Sequence, residues 1–129
     1  MTPNLPGAES LVKWFGRWPS FHDAEIMSLY IDRERKASSM RIRAFTMSGK
    51  TDRNGYHIRE RDALVVFEFS GISSLRIEGE DADTQNVISS LLVEKTNGGW
   101  HLVLEPCYGI AGEIVARDLR VRLEATFPS

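Results

Sequence analysis

The sequence predicts an α+β protein that is mostly β: an antiparallel curved sheet or sandwich of about seven or eight strands, with one N-terminal helix packed on it. Three observations carry this. Apolar and polar residues alternate with period two in run after run from Glu25 onward. Turn residues separate those runs at short intervals. Helical spacing is clear only before Pro19. The connections hold no helices, which excludes parallel βαβ units, because parallel strands need such crossovers. A chain of 129 residues is long enough for one domain, 1–129, and short for two.

Residues 1–7 carry two prolines and a glycine and read as a loose lead-in. From Ala8, the apolar residues Leu11, Trp14 or Phe15, and Trp18 fall at helical spacing. Gly16 supplies a helix stop and Pro19 forbids continuation. After Phe21 the period becomes two. Glu25–Arg33 is a first strand, Arg33–Ser38 a charged turn, and Met40–Met47 a second strand pairing antiparallel with the first.

Ser48–Gly55 is a polar loop, and Tyr56–Ile58 a short edge strand. Ala63–Phe69 is the most apolar segment and the candidate central strand; Gly71 then breaks it, and Leu75–Glu78 alternates afterwards. Val87–Glu94 fits helix or strand. Strand is favoured, because Asn97-Gly98-Gly99 and the alternating Trp100–Leu104 complete a hairpin. The last strand alternates most cleanly, with Leu119, Val121, Leu123 and Ala125 against Arg120, Arg122 and Glu124.

Composition narrows the function classes. Sixteen basic and 18 acidic groups leave a net charge of -2, without the basic footprint of nucleic-acid or anionic-membrane binding. The one cysteine, Cys107, can form no internal disulfide, which suits a reducing compartment. No apolar run approaches a bilayer's thickness and no signal peptide is visible. The expected location is the cytoplasm.

The most informative stretch is Trp18-Pro19-Ser20-Phe21-His22-Asp23-Ala24-Glu25-Ile26, which joins the helix to the first strand. Imidazole and carboxylates are the usual ligands of borderline metals and the usual acid–base pair, so His22, Asp23 and Glu25 form a conditional polar site. A small metal-dependent hydrolase is the alternative reading it supports. The plainer reading is stronger: Asp favours turns, His beside aromatics donates to backbone, and Glu at a strand start is solvated. His57 and His101 stand apart from the trio in sequence. No metal and no cofactor is therefore expected.

Cys107 invites a nucleophile reading, but free cysteine in a small β protein more often packs as a small hydrophobe. Gly49-Lys50-Thr51 lacks the preceding glycine and following helix of a phosphate loop, and Asp81-x-Asp83-x-Gln85 lacks the glycine and terminal glutamate of a calcium loop. Arg41 and Arg43 share one face, as do Arg120 and Arg122. With Asp118 and Glu124 nearby, cross-strand ion pairs are expected in place of a basic stripe. Glu78, Glu80, Asp81 and Asp83 form an acidic run suited to a basic partner, although a solvated loop is the plainer reading of such a run. The aromatics Trp14, Phe15, Trp18, Phe21 and Trp100 glue helix to sheet or anchor a partner.

The helix followed by Trp18–Ile26, together with Cys107-Tyr108-Gly109-x-x-Gly112 and the amphipathic last strand, resembles small bacterial proteins similar to the predicted immunity-protein family fifty of polymorphic toxin systems. The resemblance implies an α+β fold and a cytoplasmic protein that neutralises a toxin by binding it without turnover. It brings no functional residues with it. The charge of -2 departs from the strongly acidic immunity proteins that cover nuclease sites. A non-catalytic binding protein with a protein partner is thus the favoured expectation, and a homodimer through an exposed sheet edge is a further option.

Overall fold

A computed structural model describes residues 2–32, 37–79 and 85–128. One helix, α1 (Ala8–Phe15), precedes six strands: β1 (Glu25–Tyr30), β2 (Ser38–Thr51), β3 (His57–Gly79), β4 (Val87–Thr96), β5 (Gly99–Tyr108) and β6 (Ile110–Pro128). Every pairing is antiparallel, and the curved sheet closes into a barrel in the order β1-β2-β3-β6-β5-β4. The expected class holds, with fewer and longer strands.

The helix follows its apolar spacing. Ala8, Leu11 and Phe15 are buried, and the Gly16 amide closes the last turn on the Val12 carbonyl at 2.8 Å. The lead-in before it is not loose: Leu5 is buried and the Val121 amide donates to the Pro6 carbonyl at 2.9 Å. This bond ties the chain start to β6, against which α1 packs. Trp18 lies beyond the helix end, edge-on to Phe21 and Phe67 at 5.7 and 6.4 Å between ring centroids.

The strand count drops because three expected segments are one. Tyr56–Ile58, Ala63–Phe69 and Leu75–Glu78 fall in or at the start of the 23-residue β3. Gly71 does not break it. Its φ of 67° marks a kink, followed by a register shift against β6 between Ile72 and Ser74, so pairing resumes after a bulge. A Cβ there would come within 3.0 Å of the Arg117 Cβ, so both space and conformation call for glycine. β6 answers β3 almost along its length, from Arg61↔Pro128 to Gly79↔Ile110, and so starts nine residues before the alternating segment at Leu119. β2 likewise runs on to Thr51, into what composition marked as loop. The turn that follows is held by the Asp52 carboxylate, which accepts from the Asn54 and Tyr56 amides at 2.8 and 3.0 Å.

The hairpin expected at Asn97-Gly98 is present, with Thr96 paired to Gly99 across a two-residue loop. Inside the barrel, Ala63, Val65, Phe67 and Phe69 of β3 meet Met40, Ile42, Leu119, Val121 and Leu11 in one core. Fully burying each large side chain contributes roughly 1.5–3 kcal/mol. Val66 faces outward yet is only 1% exposed. Its register neighbours on the two flanking strands are Arg41 and Arg122. No helix among the described residues is long and apolar enough to cross a membrane.

Candidate functional site

The Trp18–Ile26 segment is the corner that closes the barrel. Pro19, Phe21, Ala24 and Ile26 are buried, while Ser20, His22 and Asp23 face solvent. Phe21 and Asp23 both adopt left-handed backbone, at φ 61° and 65°, and the Ala24 amide returns to the Phe21 carbonyl at 3.1 Å. Asp tolerates that region because its short side chain bonds locally, but Phe at positive φ costs about 1–2 kcal/mol. The Phe21 ring, stacked obliquely on Phe67 at 5.7 Å and almost wholly buried, offsets that strain.

The corner then zips β1 to β4 by backbone. The Asp23 amide donates to Ile88, the Ile88 amide to Ala24, and the Ile26 amide to Asn86, each at 2.8 Å. Opposite this seam, β4 and β5 shift register between Ile88 and Ser90, where Ile88 faces Pro106. Proline has no N–H to give the ladder, so a bulge forms and the Ser89 carbonyl is left over. The His22 ring takes it, with Nδ1 donating to the Ser89 carbonyl at 3.0 Å. That bond places the proton on Nδ1 and leaves Nε2 3.6 Å from Asp23 Oδ1.

The trio is thus split. His22 and Asp23 lie side by side on the surface, with side chains 60% and 54% exposed. Glu25 instead accepts from Gln85 Nε2 at 3.4 Å, and the Tyr108 hydroxyl donates to Gln85 Oε1 at 3.4 Å. Among the described residues no group of three His, Cys, Asp or Glu side chains is placed to hold a metal ion. Cys107 is exposed rather than packed, its thiol 3.7 Å from the Ile88 carbonyl, and it is the extra residue where Val87 faces Tyr108 and Ile88 faces Pro106.

The arginines form the expected cross-strand pairs. Arg41 makes a two-point contact with Glu124, at 2.5 Å for Nη2 to Oε2, and Arg43 one with Asp62 at 3.0 and 3.1 Å. Glu68 accepts from both Arg120 and Arg122, at 3.2 and 3.1 Å. Hydrogen bonding to Glu124 raises the Arg41 pKa, Asp62 does the same for Arg43, and Arg41 holds the Glu124 carboxyl below its usual value. Arg43 also lies 4.5 Å over the Phe127 ring.

Sequence reasoning left His101 isolated, yet it sits in a second network. Its Nε2 is 2.6 Å from Glu113, its Nδ1 4.0 Å from Glu94, and Glu113 accepts from Arg76 at 3.1 Å. The hairpin register held the signal: counting back from Thr96↔Gly99 puts Glu94 opposite His101. Of the acidic run, Glu78 is exposed near the end of β3, whereas Glu80, Asp81 and Asp83 lie outside the described residues. An open cleft of about 540 Å³ lies between the lead-in and the β4–β5 hairpin; Glu9, Lys95, Asp118 and Arg120 border it around Trp100.

No curated protein and no solved structure matches the chain. The family model of immunity protein 50 does, over residues 7–123. That span takes in α1, the closing corner and all but the last few residues of β6. The chain belongs to the immunity protein 50 family.

Proposed function

We propose that this chain acts in the cytoplasm as a non-catalytic antagonist that neutralises a toxin protein by binding it directly. The observation that carries this reading is the match to the immunity-protein model along nearly the whole chain. The site geometry agrees with it. The groups that most resembled an acid–base or metal centre serve the barrel seam and local contacts, with His22 on the Ser89 carbonyl and Glu25 on Gln85.

The partner surface we assign is the acidic run Glu78, Glu80, Asp81 and Asp83. Glu78 is exposed, and Glu25 of β1 lies at the same barrel end, opposite Val87, which pairs with Tyr108. Clustered carboxylates steer a basic partner over a Debye length of about 8–10 Å at ordinary ionic strength. The test is co-expression with the toxin encoded beside this gene, comparing wild type with an E80K/D81K/D83K variant. Protection by wild type, with at least a roughly tenfold slower association for the variant at low salt, is the expected result. Equal association rates would remove the acidic run from the interface. Absence of protection by wild type would remove the toxin-binding reading itself.

A further inference from the structure

β3 outruns its neighbour. Its pairing with β2 spans from Thr51↔His57 to Ser38↔Phe69, at the first residue of β2, while its pairing with β6 continues to Gly79↔Ile110. Leu75–Gly79 is therefore bonded to β6 along one edge and, among the described residues, to no strand along the other. A free edge is a template for another strand.

We propose that this edge pairs antiparallel with the same segment of a second copy of the chain, about a twofold axis through Ile77. The residue pattern selects both the occupant and the register. Arg76 and Glu78 lie two apart on one face, so an axis at Ile77 sets Arg76 of each copy opposite Glu78 of the other, twice over. Moving the axis to Arg76 would oppose arginine to arginine, and moving it to Glu78 would oppose glutamate to glutamate. A shift of half a residue would set charged groups against the apolar face.

The side chains are ready for this arrangement. Arg76 spends one Nη2 bond on Glu113 at 3.1 Å, but its side chain is 70% exposed and its guanidinium has donors to spare. Each arginine would then stand between its own Glu113 and Glu78 of the other copy. On the opposite face, Leu75 and Ile77 are 41% and 37% exposed. In the proposed register the two Ile77 side chains meet, and Leu75 comes opposite Gly79, which has no side chain to obstruct it. The contact is small, so a weak, concentration-dependent dimer is what it supports. Glu78 also belongs to the partner surface assigned above, so the dimer and the toxin would share this end of β3, and association of the chain alone reports the dimer by itself.

Sedimentation equilibrium on the full chain tests it. Wild type should dimerise reversibly, while R76E and E78R, which oppose like charges across the axis, should each dimerise at least about tenfold more weakly. Mixing R76E with E78R restores opposite charges at both positions and should recover association as a heterodimer. Circular dichroism establishes that each variant is folded. A wild-type chain that stays monomeric, variants that self-associate as well as wild type, or a mixture that fails to associate would each overturn the proposal.

Discussion

The His22 ring reaches across the barrel seam and donates from Nδ1 to the Ser89 carbonyl, 3.0 Å away. The residue that most invited a catalytic reading is thus a clasp between β1's entry corner and β4. His22→Ala leaves the Ser89 carbonyl to water and should lower stability by about 0.5–1.5 kcal/mol, the usual worth of one such bond. Urea unfolding measures this. The variant should still protect against the toxin; lost protection with unchanged stability would make the imidazole functional.

Phe21 supplies a test in which the sign matters more than the size. Its ring is buried against Trp18 and Phe67 while its backbone sits at φ 61°. Phe21→Ala should cost about 3–5 kcal/mol through the lost burial. At an ordinary strand position glycine is worse than alanine by roughly 0.5–1 kcal/mol. Here the order should reverse, because glycine relieves the left-handed strain that alanine retains. Thermal or urea unfolding of the two variants, compared with each other, checks it.

Acid should weaken the outer-face ion pairs. Hydrogen bonds from Arg41 depress the Glu124 pKa below its ordinary 4.5, while desolvation opposes the shift. A carboxyl whose pKa is lower in the folded state stabilises above its unfolded value. That contribution fades as pH falls through the depressed value. Wild type should therefore exceed Glu124→Gln in melting temperature near neutrality, with the two converging as pH drops below the glutamate range. A gap that persists or widens in acid would assign the effect to packing instead of charge.

Much of the fold was legible because local chemistry and tertiary structure agree. Asn97-Gly98 between two alternating apolar runs signals a two-residue hairpin, and Thr96↔Gly99 pairs as that turn requires. Pro19 and the aromatics around it marked the junction of helix and first strand, and the chain turns its corner there. The length of β3 was not legible, because a glycine inside a strand signals a break and a bulge alike. Only the continuous partner strand β6 decides for a kink at Gly71 and a bulge just after it.

Side-chain destinations were harder to read than elements. His22 finds its partner 67 residues away, at a carbonyl freed because Pro106 interrupts the ladder opposite. No local pattern reports that coincidence. The arginines were easier, since opposite charges on alternating strand faces need only be neighbours to pair. Arg43–Asp62 and Arg122–Glu68 are neighbours.

Protection by direct binding, as proposed above, is stoichiometric. Toxin activity, titrated with purified chain at concentrations well above the dissociation constant, measures it directly. Binding without turnover gives a linear fall to a sharp end point at one immunity chain per toxin, with the complex recovered intact. Complete inactivation by a small fraction of an equivalent, growing with time, would mean turnover and contradict it.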